Sequence, residues 1–148
     1  DAVWEENLML LANQALNGFI GSGVAQDWAT HMIGHELTAF YGVDHAQSLA
    51  VVQPSLLRVM IEQKSEKLAQ MGENVFGIKN DNEAVIVAIE NMYHSVGVTT
   101  NLNDYETVDN KVIENIIPSL EAHGMIAIGE NQNITLDICE KILKMAMK

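Results

Sequence analysis

Near the start of the chain, apolar side chains recur three and four positions apart. Leu8, Leu11, Ala12, Ala15 and Leu16 fall on one side of a helix over 5–16, and the spacing predicts a buried helical face. Asn17-Gly18 supplies a left-handed cap to end it, and "GSGVAQ" (21–26) is a flexible connector. Asp27 can cap the free amides of a second helix that runs to about Phe40. "YGVD" (41–44) breaks that helix and a third covers 45–62, where Pro54 predicts a kink or a restart. Further helices are expected over 65–76 and 81–98, the latter ending at Gly97. A polar loop spans 99–110, and the next helix starts at Asp109 or Asn110, is interrupted by Pro118 and ends at Gly124. The last helix, 135–147, carries Ile138, Cys139, Ile142, Leu143 and Met145 as its apolar set. Six or seven helices with short links and no alternating strand run predict an all-α domain, a helical bundle. A short strand within "MIAIG" (125–129) is too brief to alter that reading.

Composition agrees with a folded, helix-rich chain. Of 148 residues, 48% are hydrophobic and only 5% aromatic, with eight Met among the bulk. Acidic residues outnumber basic ones 20 to 8, a net charge of −12 that disfavours phosphate backbones and anionic membrane faces. Neither nucleic acid nor membrane is expected as a partner. No apolar run of about twenty residues is present to span a bilayer. Cys139 is the only cysteine, so no internal disulfide is possible; a reducing, cytoplasmic setting is expected, with the thiol buried and inert.

Three of the five histidines, His31, His35 and His45, lie within fifteen residues. His31 and His35, four apart, share one helix face. Imidazole is well suited to a mid-weight divalent metal at neutral pH. Along an unbroken helix, however, His31 and His45 would stand about 21 Å apart. A shared site therefore requires the chain to turn back, and Gly42 lies where such a turn is needed. Gly34, costing about 1 kcal/mol against Ala within a helix, implies that something approaches the backbone there. Two or three histidines do not complete a site that wants about four ligands. Asp27 and Asp44 lie nearby, each with an alternative role as cap or turn residue. His94 and His123 sit near predicted helix ends, where positive charge suits the dipole. Trp4, Trp28 and Tyr93 read as packing residues, with Trp28 one turn before His31.

The string His31, "MIG", His35, "ELTAFYGVD", His45, Ala46 resembles the second signature of the iron-containing (group III) alcohol dehydrogenases. The flanks "ALNGFIGSGVAQDWATH" and "GVDHAQSLAVVQPSLL" are similar to the NADPH-dependent aldehyde reductase and butanol dehydrogenase branch, as are "GVTTNLNDY", "LEAHGM" and "GENQNITLD". The resemblance covers nearly the whole chain. It implies a dehydroquinate synthase-like C-terminal helical domain over residues 1–148, and hydride transfer between a nicotinamide and an alcohol or aldehyde. It implies that His31 and His45 ligate a divalent metal, Fe²⁺ or Zn²⁺. His35 is implied to stand near the nicotinamide of NADP(H) or NAD(H) and to relay a proton, as both cofactor-binding and catalytic residue. The family takes two further ligands, an aspartate and a histidine four apart, from an earlier helix. No such pair precedes His31: four residues after Asp1 comes Glu5.

The family's glycine-rich nucleotide-binding domain also has no counterpart here, since "GSG" (21–23) is short and lies between predicted helices. The chain is therefore expected to be part of a longer polypeptide, partnered by that N-terminal domain and inactive on its own. The oligomeric state stays open, a homodimer among the possibilities. The competing expectation is a helical metal-binding or interaction module without catalysis.

Overall fold

The computed structural model describes residues 1–148. Seven helices appear in order: α1 (Ala2–Leu16), α2 (Ala29–Tyr41), α3 (His45–Val59), α4 (Ser65–Met71), α5 (Asn82–Ser95), α6 (Val112–Ala122) and α7 (Leu136–Ala146). A π-helical turn, Gly72–Phe76, continues α4, which together fill the expected 65–76 helix. The all-α expectation holds. No helix is long and apolar enough to cross a membrane.

The bundle centres on α3, which packs against α2, α5 and α7, while α6 closes against α2 and α7. Ile33 and Leu37 of α2, Val51 and Leu56 of α3, Ile116 and Leu120 of α6, and Ile142 and Leu143 of α7 are fully excluded from solvent. In α2 and α6 the named pairs are four apart, and in α3 and α7 the buried Val52 with Leu56 and Cys139 with Ile142 and Leu143 give the same three-and-four spacing of a helix face turned inward. A smaller cluster of Leu68, Val85, Ile86 and Ile89 joins α4 to α5. Arg58 at the end of α3 ties α5 down with a two-pronged contact to Glu90, at 2.5 and 2.7 Å.

Several sequence expectations need correction. Neither Pro54 nor Pro118 ends its helix: both lie inside continuous elements, α3 and α6. A proline ring is compatible with helical φ and forgoes one hydrogen bond, and Pro54 is itself buried in the bundle. The loop 99–110 is not wholly polar in role. It contains a 3₁₀ turn, Leu102–Asp104, whose first residue is fully buried in the core. The segment 125–129 does form a strand, β1 (Ala127–Ile128), paired antiparallel with β2 (Ile134–Thr135). That hairpin delivers Ile128 and Ile134 to the core, so brevity does not make it idle.

The largest difference concerns α1. It exists, capped by Asp1 Oδ1 accepting from the Val3 N–H, but none of its residues is buried. Trp4, Leu8, Leu11 and Leu16 are all more than half exposed. Met9 and Leu10, on other sides of the helix, are exposed as well. A helix apolar on several sides is the kind that protein surrounds; within residues 1–148 nothing does.

Candidate functional site

α2 begins where Asp27 Oδ1 accepts a hydrogen bond from the Ala29 N–H at 2.8 Å. The helix ends at Gly42, whose φ of +65° is left-handed and whose N–H donates to the Thr38 carbonyl. Glycine takes that conformation without a Cβ penalty, so the chain reverses within three residues and α3 opens directly at His45. The required turn is therefore present.

Close approach of the two helices brings their histidines together. A Cβ on Gly34 would lie 2.9 Å from Ser48 Oγ and 3.2 Å from Leu49 Cδ2, which explains a glycine inside α2. Ser48, fully buried, also donates from Oγ to the His45 carbonyl at 2.8 Å and so fixes the first turn of α3. The resulting ring-centroid separations are 5.4 Å for His31–His45, 5.1 Å for His35–His45 and 6.1 Å for His31–His35. Two imidazoles sharing one tetrahedral ion, with metal–nitrogen bonds of about 2.0–2.1 Å, have ring centres roughly 5 Å apart. Two of the three pairs meet that spacing, so distance alone does not choose between them.

The surroundings distinguish the histidines further. His31 and His45 both line an open cavity of about 620 Å³, together with Leu16, Trp28 and Leu49. His35 lies outside that lining, although it is no more open to solvent in class than His45, both being exposed while His31 is half-buried. Burial pushes the His31 imidazolium below the ordinary histidine range, and the nearby rings of His45 and His35 add to the effect. A histidine held neutral is the form that donates a ring nitrogen to a metal. The donor chemistry thus fits Fe²⁺ or Zn²⁺, but the set is incomplete: no three His, Cys, Asp or Glu side chains here are arranged to hold a metal.

Asp27 does not fill the gap. Its Oδ1 caps α2, and its Oδ2 accepts from Lys64 Nζ at 2.6 Å. Lys64 in turn reaches both carboxylate oxygens of Glu130, between β1 and β2, at 2.9 and 3.0 Å. One ammonium therefore joins the start of α2, the chain after α3 and the hairpin. Asp44 stands at the start of α3, exposed and without a side-chain capping bond. His94 and His123 are elsewhere, with partners of their own in Thr100 and the buried Glu36. Of the aromatic residues expected to pack, Tyr93 does, with its OH donating to Gln53; Trp4 is exposed. Trp28 sits against His31 with its ring edge-on at 5.0 Å.

Residues 1–147 match the C-terminal region of the Fe-containing alcohol dehydrogenase family. The chain belongs to that family. Among its relatives, the NADPH-dependent aldehyde reductase YqhD of Escherichia coli (strain K12) is 48% identical over 145 residues, covering 95% of this chain and 37% of the relative. The crystal structure of E. coli K-12 YqhD superposes with a TM-score of 0.90 at 47% identity, again over 95% of this chain and 37% of that one. NADH-dependent butanol dehydrogenase A from Thermotoga maritima superposes with a TM-score of 0.80 at 25% identity, over 93% of this chain and 37% of that one. The chain thus spans well under half the length of these relatives.

Sequence reasoning missed Ser48 and Lys64. Ser48 carries a usable signal, since a small residue three positions into a helix can face a glycine on its neighbour. Lys64 carries none, because its partners lie 37 and 66 residues away.

Proposed function

We propose that this chain is the metal-holding helical part of a NAD(P)H-dependent alcohol dehydrogenase or aldehyde reductase. The observation that carries the reading is the convergence of His31 and His45 on one cavity in a member of this family. The reaction interconverts aldehyde, NAD(P)H and a proton with alcohol and NAD(P)⁺. When bound, the metal supplies a Lewis acid for the substrate oxygen, and the nicotinamide supplies the hydride. His31 and His45 provide two of the ligands, from two helices whose spacing Gly34 and Ser48 set. The exposed His35, beside His45 and outside the cavity, exchanges the proton with solvent and meets the nicotinamide. Leu49 and Trp28 give the cavity apolar walls that keep water from the reacting carbon.

The remaining ligands and the nucleotide-binding domain belong, in this reading, to further polypeptide that partners residues 1–148. The exposed apolar surface of α1 supports that arrangement, because it is surface in need of a cover. The test is metal analysis and turnover of the full polypeptide. His31→Ala and His45→Ala are each expected to lose bound metal and about 10³-fold or more in kcat/KM, the scale of a lost Lewis acid. His35→Ala is expected to keep its metal and lose about 10²-fold, the scale of general acid–base assistance. Full metal content and turnover in both ligand variants would refute the reading, as would turnover by residues 1–148 alone.

A further inference from the structure

We propose that Lys64 is a positioning residue for the histidine site, acting through Asp27 on the first turn of α2. The inference rests on the metal-holding reading above, from which it takes the pairing of His31 with His45. Each of these histidines lies in the first turn of its helix, His31 in α2 and His45 in α3. The helices share one covalent joint, the turn through Gly42. Their other two ends, the start of α2 and the chain leaving α3, are joined by Lys64 Nζ, which donates to Asp27 Oδ2 at 2.6 Å across 37 residues of sequence. Little else holds the start of α2. Residues 22–26, which lead into it, are all exposed, and of its first four residues only the small Ala29 is buried. Trp28 at the N-cap makes no side-chain capping bond; the Asp27 carboxylate does, accepting from the Ala29 N–H. The other polar ties from α2 to its neighbours come later in the helix. They are at Glu36, which accepts from Ser119 Oγ at 2.6 Å, and at Tyr41, whose OH donates to Asp109 at 3.1 Å. Ahead of His31, Asp27 is the polar anchor, and a helix end without one frays.

The clasp is held on every side. The Lys64 side chain is only 11% exposed, between Asp27 at 23% and Glu130 at 27%. Burial alone would push its ammonium down, yet the bonds to Asp27 and Glu130 keep it above the ordinary lysine range, so it stays charged. Glu130 steadies the nitrogen from the hairpin, with its two oxygens at 2.9 and 3.0 Å. The hairpin is itself seated on Asp27: Gly129 has a left-handed φ of +85°, and a Cβ there would lie 3.0 Å from Ile134 Cδ1 and 3.7 Å from Asp27 Oδ1. Without the ammonium, two partly buried carboxylates would face each other unpaired. Their repulsion would drive Asp27 toward water and release the start of α2. Arg58 provides the contrast. It too is held by two carboxylates, Glu83 and Glu90, but both stand on α5 and neither touches a turn that carries a cavity histidine. Partners that orient metal ligands from behind are worth about 10–100-fold in metal affinity. Lys64, one residue further removed, belongs at the low end.

The experiment uses the full polypeptide, with Zn²⁺ and Co²⁺ as probes, and compares Lys64→Met, Asp27→Asn, the double variant and Arg58→Met. Zn²⁺ affinity is measured by competition with a chromophoric chelator, and the visible bands of bound Co²⁺ report ligand geometry. Hydrogen exchange of the metal-free protein reports the first turn of α2. Lys64→Met is expected to weaken Zn²⁺ about tenfold, to alter the Co²⁺ bands and to speed exchange across residues 28–33. Asp27→Asn keeps an acceptor for the Ala29 N–H but loses the ion pair, and is expected to give a similar loss. The double variant is expected to lose less than the product of the two single losses, since both act along one path. Arg58→Met is expected to lower the melting temperature while leaving Zn²⁺ affinity, the Co²⁺ bands and exchange across 28–33 as in wild type. Should Lys64→Met fail to fold, Asp27→Asn carries the same three readouts. A Lys64→Met protein that melts earlier yet binds both metals as wild type does would overturn the inference, leaving an ion pair that only stabilises. Equal weakening of Zn²⁺ by Lys64→Met and Arg58→Met would overturn it too, as the mark of general loosening. If wild type and His31→Ala hold Zn²⁺ equally well, the metal-holding reading itself fails, and this inference with it.

Discussion

Burial does different things to two titratable side chains in this molecule. At His31 it favours the neutral ring, the form a metal accepts. At Cys139, fully excluded from solvent on α7, it pushes the thiol up from 9.0 to about 11. A raised folded-state value means that the native protein holds this proton more tightly than the unfolded chain does. Stability is therefore unaffected by this group below the unfolded value and declines as pH rises from about 9 to about 11, by about 2–3 kcal/mol. Denaturation midpoints across that range should show the decline, and Cys139→Ala should make it shallower while leaving the part due to Tyr41, Tyr93 and Tyr105, whose hydroxyls burial also pushes up; an aromatic disulfide reagent should label Cys139 only after unfolding. Of the site's residues, the three histidines were legible in the sequence because their spacing is itself a geometric statement. Asp27 was legible as a cap and less so as an ion-pair partner, since Lys64 is brought to it only by the folding of everything between them.

At the scale of elements, the spacing of α2 and α3 is the quantity that places the two cavity histidines. Gly34 permits it, and Ser48 occupies the space a side chain at that position would need. Gly34→Ala gains about 1 kcal/mol in helix propensity but forces an overpacked contact costing about 1–3 kcal/mol. A net loss of about 0–2 kcal/mol in chemical denaturation is expected, together with weaker metal binding in the full polypeptide. Adding Ser48→Ala should recover part of the loss, giving a non-additive cycle; strict additivity would mean the two residues do not set the spacing. The helices themselves were readable from periodicity and caps; at α5 the structure adds the Asp81 side chain, which accepts from the Ala84 N–H. At the prolines only the break is overturned, since α3 and α6 run on through Pro54 and Pro118, a buried bundle helix tolerating one missing bond. The hairpin was underrated because two-residue strands fall below any periodic signal, while its value lies in what Ile128, Ile134 and Glu130 touch.

At the scale of the whole molecule, the fold class was legible and the surroundings of α1 were not. Periodicity reports that a helix has an apolar face; it cannot report whether the cover comes from these 148 residues. Chymotrypsin supplies a direct check, since Trp4, Leu8 and Phe19 are exposed cleavage sites here. With residues 1–148 alone, the first cuts are expected before α2, leaving the α2–α7 bundle intact. In the full polypeptide the same positions are expected to resist. Equal susceptibility in both would show that nothing covers α1. The net charge of −12 opposes self-association at low salt, so the proteolysis pattern is best read there, where like-charged copies stay apart.

The reversal at Gly42 has a kinetic consequence. His31 and His45 are fourteen positions apart, joined through one helical hairpin, so their pairing closes a short loop and adds little contact order. Such a hairpin can form early in folding, on the scale of microseconds to milliseconds. Side chains from sequence farther away arrive beside them only with slower, long-range assembly. The folding chain would then pass through a stage in which the two imidazoles already stand side by side, before the long-range contacts of the bundle close around them.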